Sequence, residues 1–237
     1  MTDTPHRSPA WGLYERLRPA QIDAIRQLAP VAYLPWGALE WHSYHAPIGL
    51  DGMQALGQCR ALAKKTGGVV LPPVYVGTDT IKPFKGFGHT VEHRAETVRA
   101  LCREFLDGLA DEGFKVIVIV TGHCGGGHVE ALQQTVGAFV TERDDLDVWL
   151  VPSFEPTHDT YPSNHAAHGE TAYQLLFDPG PVDLDLVPDP PPTLDDDGVW
   201  GDDPSSATAD DGAAILALFL ERTVPHIQHL LSRHLGQ

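Results

Sequence analysis

Apolar residues recur along this chain in two rhythms. Short unbroken runs rich in β-branched residues occur at 31–35 (VAYLP), 69–76 (VVLPPVYV), 116–120 (VIVIV) and 148–154 (VWLVPSF). Between them, near 18–29, 52–65, 95–112, 128–142, 166–176 and 208–234, apolar residues are spaced by three and four; in the last, Ile215, Leu218 and Phe219 share a face. An unbroken apolar run suits a strand covered on both sides, and three-to-four spacing suits a helix with one covered face. Their alternation predicts an α/β fold, a mostly parallel sheet with helices on both faces.

Residues 178–212 break both rhythms. The stretch is rich in Pro, Asp and Gly, which remove backbone donors or favour turns, so a long acidic loop is expected there, not a helix or a central strand. No repeat or heptad run points to a solenoid or coiled coil. With 237 residues, 42% hydrophobic and 20% charged, the chain is long enough for one domain over 1–237 with a well-buried core.

The formal charge of −16, from 32 acidic and 16 basic residues, opposes binding to nucleic acid or an anionic membrane and makes divalent cations the natural counter-charge. Cys59, Cys102 and Cys124 are odd in number and lack CxxC spacing, which fits a reducing cytoplasm and no zinc ribbon. The N-terminus has no apolar signal core, and no stretch is long and apolar enough for a bilayer, so a cytoplasmic protein without a membrane partner is expected.

Three segments carry chemistry. The first apolar run leads into Glu40, Trp41 and His42, with Asp51 nine residues beyond His42. If the chain stays extended, Glu40 and His42 point to one side, since strand side chains alternate with period two. Carboxylates and neutral imidazoles suit zinc, manganese or ferrous iron, and the two oxygens of Asp51 could bridge a pair; the competing reading is a polar loop. The second segment, VIVIVTGHCGGGHVEAL, ends a buried strand at Thr121 and places His123 where ligands of open α/β sheets sit. Its glycines could cradle a phosphate at a helix start, but the GxGxxG and GK[ST] spacings are missing; a structural turn competes. The third, NHAAHGETAYQLL, carries His165, His168 and Glu170. On a regular helix Glu170 is turned from His165 by about 140°, so both face one cavity only if the chain is irregular at His165. A solvated helix start with a dipole-matched Glu is the competing reading.

Together these segments resemble the creatininase (creatinine amidohydrolase) family, which also holds formamide deformylases and a peptide-maturing peptidase. PWGALEWHSYHAPIGLD is similar to the family's P-x-G-x-x-E-x-H-G-x-H-L-P-x-x-x-D, TGHCGGG to its N-G-H-G-G-N turn, and HAAHGETA to H-A-G-x-x-E-T-S. GVWGDDPSSATADDGAAIL resembles a fourth segment, G-x-x-G-D-P-x-x-A-T-x-x-x-G. Thr121, Gly127 and Ser43 depart from the pattern, and GFGHTVEHRAET keeps little of the family's equivalent beyond Gly86 and Thr97. Creatininase itself has a Glu two positions after the turn His, where this chain has Gly125; Glu170 is the candidate replacement.

The resemblance implies a creatininase-like three-layer sandwich and a binuclear centre of zinc, manganese or both, with ferrous iron compatible. One metal would be held by Glu40, Asp51 and His123, the other by His42, Asp51 and Glu170. His165 would shuttle a proton to the leaving nitrogen, and the substrate would be a small-molecule amide, a cyclic amide or a formamide. A peptide-cleaving member and a non-catalytic metal-binding homologue are the alternatives. A homo-oligomer, a hexamer, is also implied. His45 and His168 are candidates for outer or substrate contacts, and Glu155, Tyr161 and Trp41 for pocket walls, though a core role suits each as well. Cys124 has no matching base for a thiol nucleophile.

Overall fold

The computed structural model describes residues 10–162, 164–189 and 191–235. Two strands buried along their whole length form its centre, β2 (Val31–Gly37) and β5 (Val116–Thr121). They run parallel, in register from Val31 opposite Val116 to Trp36 opposite Thr121. β6 (Asp147–Pro152) extends the sheet beyond β5. On the far side of β2 lie β3 (Gly68–Val70), β4 (Val74–Tyr75) and, beyond β3, β1 (Trp11–Leu13). The order is β1-β3-β2-β5-β6 with β4 also on β2, and every pairing is parallel.

The expected strand over 69–76 is therefore two short strands. Pro72 and Pro73 stand between them, and a proline has no N–H to give the ladder and a fixed φ, so pairing stops and resumes one turn later. β1 and the short helix α3 (Ile81–Lys85) were not anticipated, since three to five residues are too few to show a period.

Alternate residues of the central strands feed two cores. Ala32, Leu34, Trp36, Ile117 and Ile119 meet Val98, Cys102 and Leu106 of α4 (Ala95–Asp111) and Leu132 and Phe139 of α5 (Gly126–Glu142); Ile25 of α1 (Pro19–Leu28) joins them. Val31, Tyr33, Val116, Val118 and Val120 face the other way, against Ala55, Cys59 and Leu62 of α2 (Leu50–Thr66) and Phe219 and Ile227 of α8 (Ala209–Leu235). The result is a parallel sheet with a helical layer on each face, as the two rhythms require.

The acidic stretch 178–212 is more structured than a plain loop. It holds short helical turns at Leu184–Leu186 and Pro204–Ser206 and a one-turn helix, α7 (Leu194–Asp197), while α8 begins already at Ala209. The side chains of Asp183, Thr193 and Asp203 cap these turns by accepting backbone N–H groups. The Asp and Thr content that reads as loop in sequence is thus spent on capping. The stretch also pairs with the third chemical segment, Trp200 N–H donating to the His165 carbonyl at 2.8 Å.

Candidate metal centre

The three segments meet at the carboxyl ends of β2 and β5. Asp51 gets there because α2 begins in direct contact with both strand ends. A Cβ on Gly37 would lie 2.3 Å from Gly52 N, and one on Gly122 would lie 2.1 Å from the Asp51 carbonyl oxygen. Only glycine at both positions lets the first turn of α2 approach this closely. Ala38 N–H then donates to Asp51 Oδ2 at 3.2 Å.

β2 stops at Gly37, so Glu40 and His42 lie in an irregular segment and not on the extended strand considered above. Both side chains still enter one buried cluster. His42 Nε2 lies 3.1 Å from Asp51 Oδ1 and 3.7 Å from Glu170 Oε2. His123 Nδ1 lies 2.8 Å from Glu40 Oε1 and 3.5 Å from Asp51 Oδ2. The helix α6 (His168–Phe177) starts only at His168, and Ala166 has φ 52°, a left-handed residue that turns the chain between His165 and the helix. The irregular alternative for this segment therefore holds: His165 Nδ1 comes within 3.8 Å of Glu40 Oε1, and its ring centroid is 4.4 Å from that of His42.

Backbone groups orient each donor. His123 Nε2 lies 3.0 Å from the Thr78 carbonyl, His42 Nδ1 lies 3.0 Å from that of Glu40, and His165 Nε2 lies 2.6 Å from that of Trp41. A carbonyl only accepts, so each of these nitrogens carries a proton, and the opposite nitrogen, facing the cluster, is the one that offers a lone pair when the ring is neutral. Glu40 Oε2 accepts Ile81 N–H at 2.9 Å, which turns Oε1 toward His123, and Glu170 Oε2 accepts Ala166 N–H at 2.6 Å.

Two triples, Glu40 with Asp51 and His123, and His42 with Asp51 and Glu170, bring ligand atoms within 4.8 Å of one another, as does a third made of Glu40, His42 and His165. The donors fit cations. Three carboxylates are buried together with no Lys or Arg paired to them among the described residues, and His42 Nε2 is buried without a well-formed hydrogen bond. Burial opposes charge on His42, but Asp51, Glu170 and Glu40 outweigh it and push the imidazole up to about 10. His123 is likewise raised, to about 9, by Glu40 and Asp51 against its burial. Glu40 is held well below the usual carboxylate range by His123, His165 and His42 despite being buried. Burial raises Glu170 to about 8, with His42 opposing. His165 differs: burial and the neighbouring His42 push it down to about 4, so it is neutral.

A cavity of about 530 Å³ opens onto the cluster, lined by Glu40, Asp51, His123, His165 and Glu170 at its inner end and by Ile81, Phe84, Leu194 and Trp200 elsewhere. Cys124 also stands on its wall, exposed, where the charges of Glu170 and Asp51 disfavour its thiolate, which makes it a poor nucleophile. The other candidates do not reach the cavity lining. His45 pairs with Thr171 Oγ1 at 2.9 Å, His168 with Asp211 at 3.4 Å, and the Trp41 ring stacks on Phe87 with its N–H on the Asp197 carbonyl at 2.9 Å. Neither Glu155 nor Tyr161 lines it. The segment 78–81 was missed in sequence because it serves the cluster through main-chain groups, which any residue type supplies.

A parallel α/β sheet with a buried carboxylate and imidazole cluster at its strand ends is the frame of a metal-dependent hydrolase. The family model described as creatininase, creatinine amidohydrolase, matches residues 15–227, and the chain belongs to that family. It is 26% identical over 185 residues to the creatinine amidohydrolase of Pseudomonas putida, covering 68% of this chain and 70% of that one. Among solved structures, a creatinine amidohydrolase superposes with TM-score 0.74 at 22% identity, over 94% of this chain and 98% of that one. A mutant creatininase of the Zn-Zn type (0.74, 22%, 92% and 98%) and a manganese creatininase (0.74, 22%, 95% and 99%) share the fold equally well.

Proposed function

We propose that the cluster holds two divalent cations, zinc or manganese, and that the protein is an amidohydrolase cleaving a non-peptide carbon–nitrogen bond of a small amide, a cyclic amide or a formamide. The observation that carries this reading is the sharing of Asp51 by two compact triples of buried ligand atoms. Glu40, Asp51 and His123 would hold one cation, and His42, Asp51 and Glu170 the other. Zinc and manganese are the metals named for two relatives of the same fold, and ferrous iron suits the same donors. Such a pair, when bound, supplies a water of lowered pKa and polarises a carbonyl.

The chain's own residues would do the rest. Main-chain carbonyls of Thr78 and Glu40 fix the tautomers of His123 and His42, so that the ligand nitrogens need no reorientation. His165, neutral and held by Trp41, presents Nδ1 to the cavity; it would take a proton there from the attacking water and hand it to the leaving nitrogen.

The chain is read as one domain that assembles into a homo-oligomer, a hexamer, in the cytoplasm. No described helix is long and apolar enough to cross a membrane, and the acidic surface supports the absence of nucleic-acid and membrane partners. Light scattering checks the assembly; a concentration-independent monomer would refute it.

Metal analysis of the purified protein, followed by hydrolysis assays on a creatinine-type cyclic amide, a formamide and a small peptide, tests the reading. About two ions per chain and turnover of one of the first two are expected. A protein that retains no zinc or manganese after loading overturns the metal centre, and turnover of peptide alone selects the peptidase alternative.

A further inference from the structure

The glycines that follow His123 invite a ligand that the hydrolytic chemistry does not use. Gly125 and Gly126 line the cavity, and with Gly127 they open α5, a place where main-chain N–H groups and the helix dipole attract anions. A carboxylate of this chain is already there. Gly127 N–H donates to Asp79 Oδ2 at 2.7 Å. Two of the three glycines leave room for Asp79: a Cβ on Gly125 would lie 2.3 Å from the Asp79 carbonyl oxygen, and one on Gly127 would lie 3.1 Å from Asp79 Cβ. Asp79 itself takes φ 58°, an uncommon left-handed conformation for a residue with a side chain. The turn that carries it is held by Glu92, whose carboxylate accepts Asp79 N–H at 2.8 Å and Thr80 N–H at 3.1 Å.

The rest of the cavity points the same way. None of its described lining residues is Lys or Arg, and Asp79 is the one lining carboxylate outside the ligand cluster. Outside the ligand cluster an anionic group on a substrate would meet no Lys or Arg among the described lining residues, and would find the Gly127 N–H at the start of α5 taken by a like charge.

We propose that Asp79 is a specificity-determining residue, a carboxylate at the solvent-exposed side of the cavity that caps the start of α5 and so directs the cavity to amide substrates whose outer group is neutral or cationic. The inference rests on the amidohydrolase reading for its kinetic consequence, but not for its binding consequence. An anionic substituent placed beside Asp79 is repelled, and an ammonium is attracted.

Two variants of the metal-loaded full chain test it. Asp79→Asn keeps the shape, the capping oxygen and a residue type that tolerates positive φ, and removes the charge. Asp79→Gly empties the helix start and relieves the backbone. Thermal melts with sodium sulfate, against sodium chloride of equal ionic strength, should show a sulfate-specific rise of about 3–6 °C in Asp79→Gly at roughly ten times the dissociation constant, and none in the wild type. On three matched amides bearing an ammonium, a neutral or a carboxylate group, Asp79→Asn should shift the ammonium-to-carboxylate ratio of kcat/KM by about tenfold or more toward the anion, the effect of roughly 1.4 kcal/mol. Sulfate stabilisation of the wild type equal to that of Asp79→Gly, or an unchanged ratio in Asp79→Asn, would overturn the assignment. If none of the three amides is hydrolysed, the amidohydrolase reading fails for that substrate set, and the sulfate comparison alone decides the role of Asp79.

Discussion

Gly122→Ala separates the present account from a purely polar view of the site. The added methyl would lie 2.1, 2.7 and 2.9 Å from the carbonyl oxygen, carbonyl carbon and Cα of Asp51. These are main-chain atoms and cannot rotate aside. Reaching an ordinary contact of 3.4 Å requires the Asp51 carbonyl to retreat by 1.3 Å (3.4 minus 2.1), which carries the first turn of α2 and the shared carboxylate away from the strand ends. Overpacking of this kind costs about 1–3 kcal/mol, a fall in Tm of about 2–4 °C for each kcal/mol in a chain of this size. A displacement near 1 Å at a catalytic group costs on the order of a hundredfold in rate. The assay is a thermal melt of the metal-free protein, with metal content and turnover measured on the reloaded one. Gly137→Ala serves as the control. It lies within α5, a Cβ there meets nothing within 4 Å, and the change should stabilise by about 0.5–1 kcal/mol. If Gly122→Ala melts, binds metal and turns over like the wild type, the claim that glycine contact places Asp51 is wrong.

Other outcomes are expected. His165→Ala should keep near-full metal occupancy while turnover falls by about a hundred- to ten-thousandfold, whereas Glu170→Ala should drop from about two ions to about one and lose activity; occupancy measurements showing the reverse would exchange the two roles. Metal binding to the metal-free protein should release protons, because His42 and His123, raised to about 10 and about 9, are charged at neutral pH and must be neutral to ligate. Apparent affinity should accordingly rise with pH up to about 10, the value for His42, and calorimetry in buffers of different ionisation enthalpy that finds no proton release would refute it. Cys124→Ser should leave turnover within a few-fold of wild type, since the thiol stays protonated; loss of all activity would restore a thiol mechanism.

Much of the architecture is legible in the order of residues. The buried runs VAYLP and VIVIV become adjacent parallel strands because β-branched residues with no polar alternate suit a sheet covered on both faces. The six expected helices begin and end within two residues of their expected limits, while α3 and α7 were outside the pattern. The residues of the proposed centre, Glu40, His42, Asp51, His123, His165 and Glu170, stand in segments whose spacing marks them before any geometry is known. Local sequence can do this because strand and helix periods act over neighbours.

What spacing could not supply is convergence. Whether Glu170 and His165 share a cavity depended on a left-handed Ala166, and whether Asp51 reaches two imidazoles depended on two glycines, Gly37 and Gly122, that let α2 touch the strand ends. The role of the Gly125–Gly127 turn was likewise open between a ligand cradle and a structural turn until Asp79, 48 residues before Gly127, was found against it. Sequence determined which chemical groups this protein carries and the elements they ride on, since those follow from local covalent and hydrophobic constraints. Tertiary structure decided which of those groups meet, because close approach between distant segments is set by packing of atoms that no local pattern encodes.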